Sequence, residues 1–189
     1  MGKHDVLITL GNNNADRSAN DLYCTPGWAV NSLLNEEEFN DDIWECCCGL
    51  GNISEVLKER GHNVYSTDLC DYGYNSLNEQ FDFLTSTKKF KGDIITNPPY
   101  KNALQFVKHS IDSIENGNKV AMLLRIQFLE GIERGKFFKE NPPKIVYVFS
   151  KRVGCYRPEI DPKNACNAMC FCWFIWEKGF KGSPIIKWL

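Results

Sequence analysis

The sequence predicts an α/β protein with three layers, in which a mostly parallel, doubly wound sheet lies between helices. Residues 42–60 fit a strand, a glycine turn and a helix, the first unit of such a sheet. Residues 62–69 fit a second strand that ends in an acid, Asp68. Residues 119–124 begin with Lys119 and continue as an unbroken apolar run, which is typical of a buried parallel strand.

The length and composition fit one domain. A chain of 189 residues can bury a full hydrophobic core, and its 43% apolar and 24% charged residues are ordinary for globular proteins. Residues 1–20 are mostly polar and predict a mobile N-terminal arm, so we expect a single domain over residues 21–189. No stretch approaches the ~20 apolar residues of a membrane span, and the N-terminus lacks a signal-peptide hydrophobic region. We therefore expect no membrane association.

The cysteines favour a reducing compartment. There are nine, an odd number, and three are contiguous at residues 46–48, so free thiols in a cytoplasmic protein fit better than a disulfide framework. Cys155, Cys166, Cys170 and Cys172 lack the paired Cys-x-x-Cys spacing of structural zinc sites, so we predict no metal.

The first helix is predicted to begin at Thr25-Pro26, because Thr is a good N-cap and Pro a good first helical residue. Trp28, Leu33 and Leu34 would then pack inward.

The glycine turn after the first strand predicts a nucleoside site. Gly49 and Gly51 allow close backbone approach to a ligand at a helix N-terminus. Gly49-x-Gly51-x-x-Ser54 is one residue from the nicotinamide-dinucleotide fingerprint, but Glu45 at the strand end would repel a pyrophosphate and suits a ligand with an ammonium and a sulfonium group. Asp68 lies 19 residues after Gly49, the spacing of a carboxylate that chelates both ribose hydroxyls, which supports a nucleoside of either kind.

The later elements follow from apolar spacing and turn residues. Residues 102–115 predict an amphipathic helix whose core face carries Leu104, Val107, Ile111 and Ile114. Residues 125–138 predict a partly helical segment with a loop at 131–135. Residues 144–149 and 170–176 are β-prone.

A rigid corner follows the strand predicted at residues 93–96. In Asn97-Pro98-Pro99-Tyr100 the two prolines fix the backbone and keep Asn97 out of helical conformation. An exocyclic amine could donate its hydrogens to Asn97 Oδ1 and the Pro98 carbonyl while Tyr100 stacks on the attached ring. A proline-rich strand-to-helix loop with a buried Tyr is the structural alternative.

Several motifs, in this order, resemble those of the S-adenosylmethionine-dependent amino-methyltransferases, of which DNA adenine-N6 enzymes are the largest group. They are Tyr23-x-Thr25-Pro26, Glu45-Cys46 before Gly49-x-Gly51, Asp68, Asp82-Phe83 and Asn97-Pro98-Pro99-Tyr100. The resemblance covers roughly residues 21–150. It implies a Rossmann-like methyltransferase fold with one antiparallel strand near the C-terminal end, provided by residues 170–176.

The resemblance also implies roles for residues. Asn97, Pro98, Pro99 and Tyr100 would be catalytic, whereas the cofactor would contact Tyr23, Thr25, Pro26, Glu45, Cys46, Gly49, Gly51, Asp68, Leu69, Asp82 and Phe83. Asp82 would accept a hydrogen bond from the cofactor's adenine amine, although an ordinary turn or cap acid is an equal alternative.

The implied activity is methyl transfer from S-adenosylmethionine to adenine N6 in DNA. Alternatives are methylation of RNA bases or of protein glutamine, or a non-catalytic scaffold that binds the cofactor. No sizeable target-recognition domain fits after Tyr100, so specificity would be weak or come from a partner or homodimer.

The charge distribution agrees with a nucleic-acid substrate. Residues 1–100 carry 7 Lys and Arg against 16 Asp and Glu, and residues 101–189 carry 15 against 8. The basic half could face phosphates, with Arg134, Arg152, Arg157 and Lys163 as candidate contacts, unless its charges are only scattered on a solvated surface.

Overall fold

A computed structural model describes residues 22–161, 163 and 168–189. The predicted N-terminal arm lies outside these residues. The helices are α1 (Gly27–Glu36), α2 (Asn52–Glu59), α3 (Ala103–Ser113) and α4 (Ile132–Glu140), with short 3-10 helices at Phe83–Thr85, Tyr100–Asn102 and Ile126–Leu129. The strands are β1 (Asp42–Glu45), β2 (Asn63–Asp68), β3 (Glu79–Gln80), β4 (Asp93–Thr96), β5 (Lys119–Arg125), β6 (Ile145–Val148), β7 (Phe171–Glu177) and β8 (Ile185–Trp188).

The strands form one sheet of order β3-β2-β1-β4-β5-β7-β6-β8. All neighbours pair in parallel except β7, which is antiparallel to both β5 and β6. The predicted α/β class, the mostly parallel sheet and the antiparallel strand are thus confirmed. The carboxyl ends of β1, β2 and β4 meet at one edge of the sheet, where open α/β sheets bind ligands.

The sheet buries both faces, which makes three layers. Along β5, Val120, Met122 and Leu124 pack into one core, whereas Ala121 and Leu123 pack into the other. The first core also holds residues of α3 and α4, and the second holds residues of α1 and α2. Because strand side chains alternate between faces, a strand buried on both sides reads as the continuous apolar run seen in the sequence.

The start of β4 is fixed by Asp93, which is 1% exposed. Its carboxylate accepts hydrogen bonds from the Asn40 backbone at 2.7 Å, the Asn40 side chain at 2.9 Å and the Lys119 backbone at 2.6 Å. These bonds join β4 to the start of β5 and to the loop before β1, and they set the strand that leads to Asn97.

The structure corrects two local predictions. Helix α1 begins at Gly27, with Pro26 as an N-cap that makes no side-chain bond, because the Thr25 hydroxyl binds Asn97 instead. Residues 131–135 are not a loop, since α4 begins directly after Gly131, whose positive φ of 123° sets the helix start.

Two packing details complete the sheet and its helices. Val107 and Ile114 of the predicted apolar face are buried together with Phe106, and Leu104 and Ile111 pack half-buried against the same core. Strand β8 was not predicted; it pairs with β6 and has all four residues exposed, so β7 lies inside the sheet.

No helix in the described part of the chain is long and apolar enough to cross a membrane.

Candidate active site

A cavity of about 580 Å³ opens at the carboxyl ends of β1, β2 and β4. Most of the predicted cofactor and catalytic residues line it, namely Tyr23, Thr25, Glu45, Cys46, Gly49, Asp68, Leu69, Asp82, Phe83, Asn97 and Pro99. Pro26, Gly51, Pro98 and Tyr100 do not. Residues from five separate segments of the sequence thus meet at one site.

Glu45 ends β1 and is 1% exposed. Its carboxylate accepts a hydrogen bond from the Ser54 hydroxyl of α2, which lies 2.6 Å from the Ser66 hydroxyl of β2. Burial raises the pKa of Glu45 well above its ordinary value. A cationic ligand in the cavity would favour the ionised form and would offset part of that desolvation.

Asp68 ties the end of β2 to the glycine turn. Its Oδ2 accepts a hydrogen bond from the Gly49 backbone at 2.8 Å, and its Oδ1 accepts one from the Cys70 backbone at 3.1 Å. Burial raises the pKa of Asp68 although both bonds oppose the shift. Each carboxylate oxygen can accept a second hydrogen bond, so these contacts leave acceptor capacity for ribose hydroxyls.

The two turn glycines have different surroundings. Gly49 has φ 53° and lines the cavity, as expected for close approach to a ligand. Gly51 has φ 80° and is the N-cap of α2, but a Cβ built on it would lie 2.2 Å from the Tyr74 ring. Its smallness therefore makes room for Tyr74, and the predicted contact of Gly51 with the cofactor stays a prediction.

Asp82 has the role of a cap acid, which was the structural alternative for this residue. Its side chain accepts a hydrogen bond from the Leu84 backbone at 3.0 Å and caps the 3-10 helix that follows. Phe83 is 2% exposed and packs on Trp44 and Phe106, with ring centroids 5.0 Å and 5.6 Å away. Both residues also line the cavity, so the cap does not remove them from it.

Asn97 follows β4 and lies 72 residues from its partner Thr25. Its Nδ2 donates a hydrogen bond to Thr25 Oγ1 at 3.1 Å. Its Oδ1 is buried and accepts no hydrogen bond from the described residues. Because buried polar atoms are usually paired, an unpaired acceptor on a residue that lines the cavity is a candidate partner for a donor group of a ligand.

Tyr100 lies outside the cavity wall and is enclosed by other groups. The Arg125 guanidinium lies 4.9 Å from its ring centroid, and the rings of Phe171 and Tyr23 lie at 5.7 Å and 6.2 Å. Its hydroxyl binds the thiol of Cys155, whose pKa burial raises to about 12.

The four predicted nucleic-acid contacts are spread out. Arg157 lies over the Tyr23 ring at 5.9 Å and is thus beside the cavity. Arg134, on α4, donates to the Gln127 carbonyl at 3.4 Å, and Arg152 binds the Cys170 thiol. Lys163 is exposed in a segment of which residues 162 and 164–167 fall outside the described part. Only Arg157 contacts a cavity residue.

Sequence reasoning missed Arg125 and much of the cavity wall. Arg125 ends β5, and its position directly after an apolar run was the available signal. Arg125 does not line the cavity; the wall residues that were missed are Leu22, Cys47, Cys48, Leu50, Asn52, Ile53, Cys70, Tyr72, Leu84, Lys101, Asn102 and Phe106. Most directly follow or precede residues that were identified. Among the described residues, no group of three or more His, Cys, Asp or Glu could hold a metal ion.

Comparisons with known proteins identify the fold. No known protein family matches the sequence, and no curated protein matches it. The structure is similar to a candidate class I S-adenosylmethionine-dependent methyltransferase of Listeria monocytogenes, with a TM-score of 0.57 and 15% identity over 87% of this chain and 65% of that one.

Two further structures are similar at 12% identity. For the EcoKI M protein of a type I restriction enzyme the TM-score is 0.60, and the match covers 86% of this chain and 45% of that one. For a candidate RNA methyltransferase of Pyrococcus horikoshii the TM-score is 0.55, with 82% and 81% covered. This chain therefore has the Rossmann-like fold of class I methyltransferases, and it spans less than two thirds of the Listeria protein and about half of the EcoKI protein.

Proposed function

We propose that this protein is an S-adenosylmethionine-dependent N-methyltransferase that acts on adenine N6 in DNA. The observation that carries the proposal is Asn97, a residue that lines the cavity and whose buried Oδ1 has no partner among the described residues. An unpaired oxygen there matches the need of an exocyclic amine for an acceptor.

The cavity suits the proposed cofactor. Its volume of about 580 Å³ is within the usual range for small-molecule sites. Asp68 would hold the ribose hydroxyls, Asp82 and Phe83 the adenine, and Glu45 with Tyr23 the charged methionine end. When bound, S-adenosylmethionine supplies an electrophilic methyl group.

Asn97 and Pro98 would orient the target amine. Two accepted hydrogen bonds hold the N–H groups in place and leave the nitrogen lone pair directed at the methyl group. No strong general base is required before transfer, because the amine proton becomes acidic once the nitrogen carries the added methyl group. Binding and alignment then supply most of the catalysis.

Support for a DNA substrate comes from charge and from one structural likeness. The Arg157 guanidinium lies over the ring of Tyr23, which lines the cavity, and Arg125 lies over the neighbouring Tyr100 ring. The EcoKI M protein belongs to a restriction enzyme. A base in duplex DNA would have to be extruded to reach Asn97, and specificity would come from a partner or a second copy of the chain.

RNA bases and protein glutamine remain alternatives, because either presents an amine or amide nitrogen to the same oxygen. Lys101 and Asn102, which line the cavity after Tyr100, do not favour one polymer over another. A scaffold without catalysis would need no unpaired acceptor at Asn97.

The test is a labelling experiment with four substrates. The purified protein is incubated with S-adenosylmethionine labelled in the methyl group and, separately, with duplex DNA, single-stranded DNA, RNA and a cell protein extract. N6-methyladenine in either DNA sample is the expected product. Label in RNA or protein would overturn the substrate, and no label with measurable cofactor binding would support the scaffold.

Two asparagine variants sharpen this test. Asn97→Ala should abolish labelling and keep cofactor binding, as measured by calorimetry. Asn116→Ala removes an exposed asparagine before β5, at the opposite edge of the sheet, and should match the wild type. Equal activity of the two variants would contradict the role of Asn97.

A further inference from the structure

The Asn97 side chain can act as proposed only in one of its two orientations. An amide has an acceptor end and a donor end of nearly the same shape. With Oδ1 in the cavity wall it can accept a hydrogen bond from a target amine. Turned by 180°, it would present its own N–H groups to the amine, and two donors would face each other.

One contact holds the amide group in place. Asn97 Nδ2 donates to Thr25 Oγ1 at 3.1 Å, and Thr25 is 2% exposed, so water cannot easily replace this partner. A hydroxyl can donate as well as accept, so this contact fixes the position of the amide in either orientation. Asn97 itself has no polar partner on its oxygen among the described residues.

We propose that Thr25 is a positioning residue whose hydroxyl holds the Asn97 amide in place for the target amine. This inference rests on the proposed function of Asn97. It assigns the Thr25 oxygen to the catalytic amide rather than to the cofactor.

Thr25 is itself held on both sides. The preceding Cys24 pairs with Tyr156, with the Cys24 N–H donating at 2.7 Å and the Tyr156 N–H at 3.3 Å. The following Pro26 has its φ fixed at −61°, and its carbonyl accepts the Ala29 N–H of α1 at 2.9 Å. The hydroxyl therefore has a fixed place opposite β4, and this explains why it does not cap α1.

The test compares two substitutions at Thr25 with a control. Thr25→Val keeps the shape and removes the acceptor, whereas Thr25→Ser keeps the oxygen and removes a methyl group. Thr87→Val makes the same change at an exposed threonine before β4. Thermal melts of all three confirm that they fold.

We expect Thr25→Val to lower kcat about tenfold or more, equivalent to ~1.4 kcal/mol in the barrier, with the cofactor Kd nearly unchanged. Thr25→Ser should retain most of the wild-type kcat. A fall in cofactor affinity without a fall in kcat would overturn the proposal. So would equal losses for Val and Ser, which would indicate packing by the Thr25 methyl group.

A second measurement needs no activity. The side-chain amide signal of Asn97 in an ¹⁵N NMR spectrum, assigned by its loss in Asn97→Ala, should exchange slowly with solvent in the wild type and in Thr25→Ser. It should exchange faster in Thr25→Val, and unchanged exchange there would refute the contact. If the wild type labels no substrate, the proposed function fails while this exchange still decides whether Thr25 holds the amide.

Discussion

Replacing Gly51 by Ala should destabilise the protein through Tyr74. The left-handed backbone, with φ 80°, costs an L-residue about 1–2 kcal/mol. The added Cβ would lie 2.2–2.5 Å from three ring atoms of Tyr74, so the ring must move. Its hydroxyl, which binds Glu55 and the Lys58 ammonium at 2.9 Å, would then lose these partners.

The expected magnitude follows from these contributions. Overpacking of this kind costs about 1–3 kcal/mol, so the total is roughly 2–5 kcal/mol in the free energy of unfolding. For a chain of this size each kcal/mol lowers Tm by about 2–4 °C, so we expect a decrease of roughly 4–20 °C. Urea denaturation and thermal melts by circular dichroism measure both quantities.

The chain provides a matched control. Gly61 ends α2 with φ 93°, and a Cβ built there meets nothing within 4 Å. Gly61→Ala should therefore show only the backbone cost of about 1–2 kcal/mol. In a Tyr74→Ala background, Gly51→Ala should fall to the same value. Equal costs for the two glycines in the wild-type background would refute the assignment of Gly51 to Tyr74.

Three other predictions concern charge and burial. Because burial raises the pKa of Glu45, its folded state holds a proton more tightly than the unfolded state, so stability should fall as pH rises from about 4.5 through the raised pKa. Denaturation measured from pH 4 to 9 should show a smaller decrease in the free energy of unfolding for Glu45→Gln than for the wild type. An equal decrease in the two proteins would contradict this prediction. If Arg157 contacts a phosphate, Arg157→Gln should lower the slope of log affinity for DNA against log salt by about 1. Lys181→Gln, at the opposite edge of the sheet, should leave that slope unchanged. Burial raises the pKa of Cys172 to about 12, so iodoacetamide at neutral pH should label it only after unfolding, as mass spectrometry would show.

The predictions that held depend on local signals. The β1-turn-α2 unit, the acid at the end of β2 and the corner after β4 are each specified within a few residues by glycine, proline and apolar runs. Topology then brings them together, since parallel strands place their carboxyl ends at one edge. The grouping of Glu45, Asp68 and Asn97 could thus be expected from the sequence.

The predictions that failed depend on partners distant in the chain. Thr is a favourable N-cap residue, but the Thr25 hydroxyl accepts a tertiary hydrogen bond from Asn97 instead. Gly131 and Gly135 suggested a loop, yet one glycine sets the start of α4 and the other lies within it. Strand β8 has no buried face, so it lacked the apolar alternation by which a strand is recognised.

The two interpretations of the Asn97 corner make different energetic demands. A proline-rich corner that served only to turn the chain would gain nothing from a buried amide oxygen without a partner, which costs about 1–3 kcal/mol. The nearby Pro98 is buried and would fix the turn whatever residue preceded it. The structure nevertheless pairs the nitrogen end of Asn97 with Thr25 and leaves its buried oxygen end without a partner among the described residues. A fold tolerates such an arrangement where the missing partner is a ligand, and this is why the unpaired oxygen, more than the tetrapeptide, supports a site for an amine.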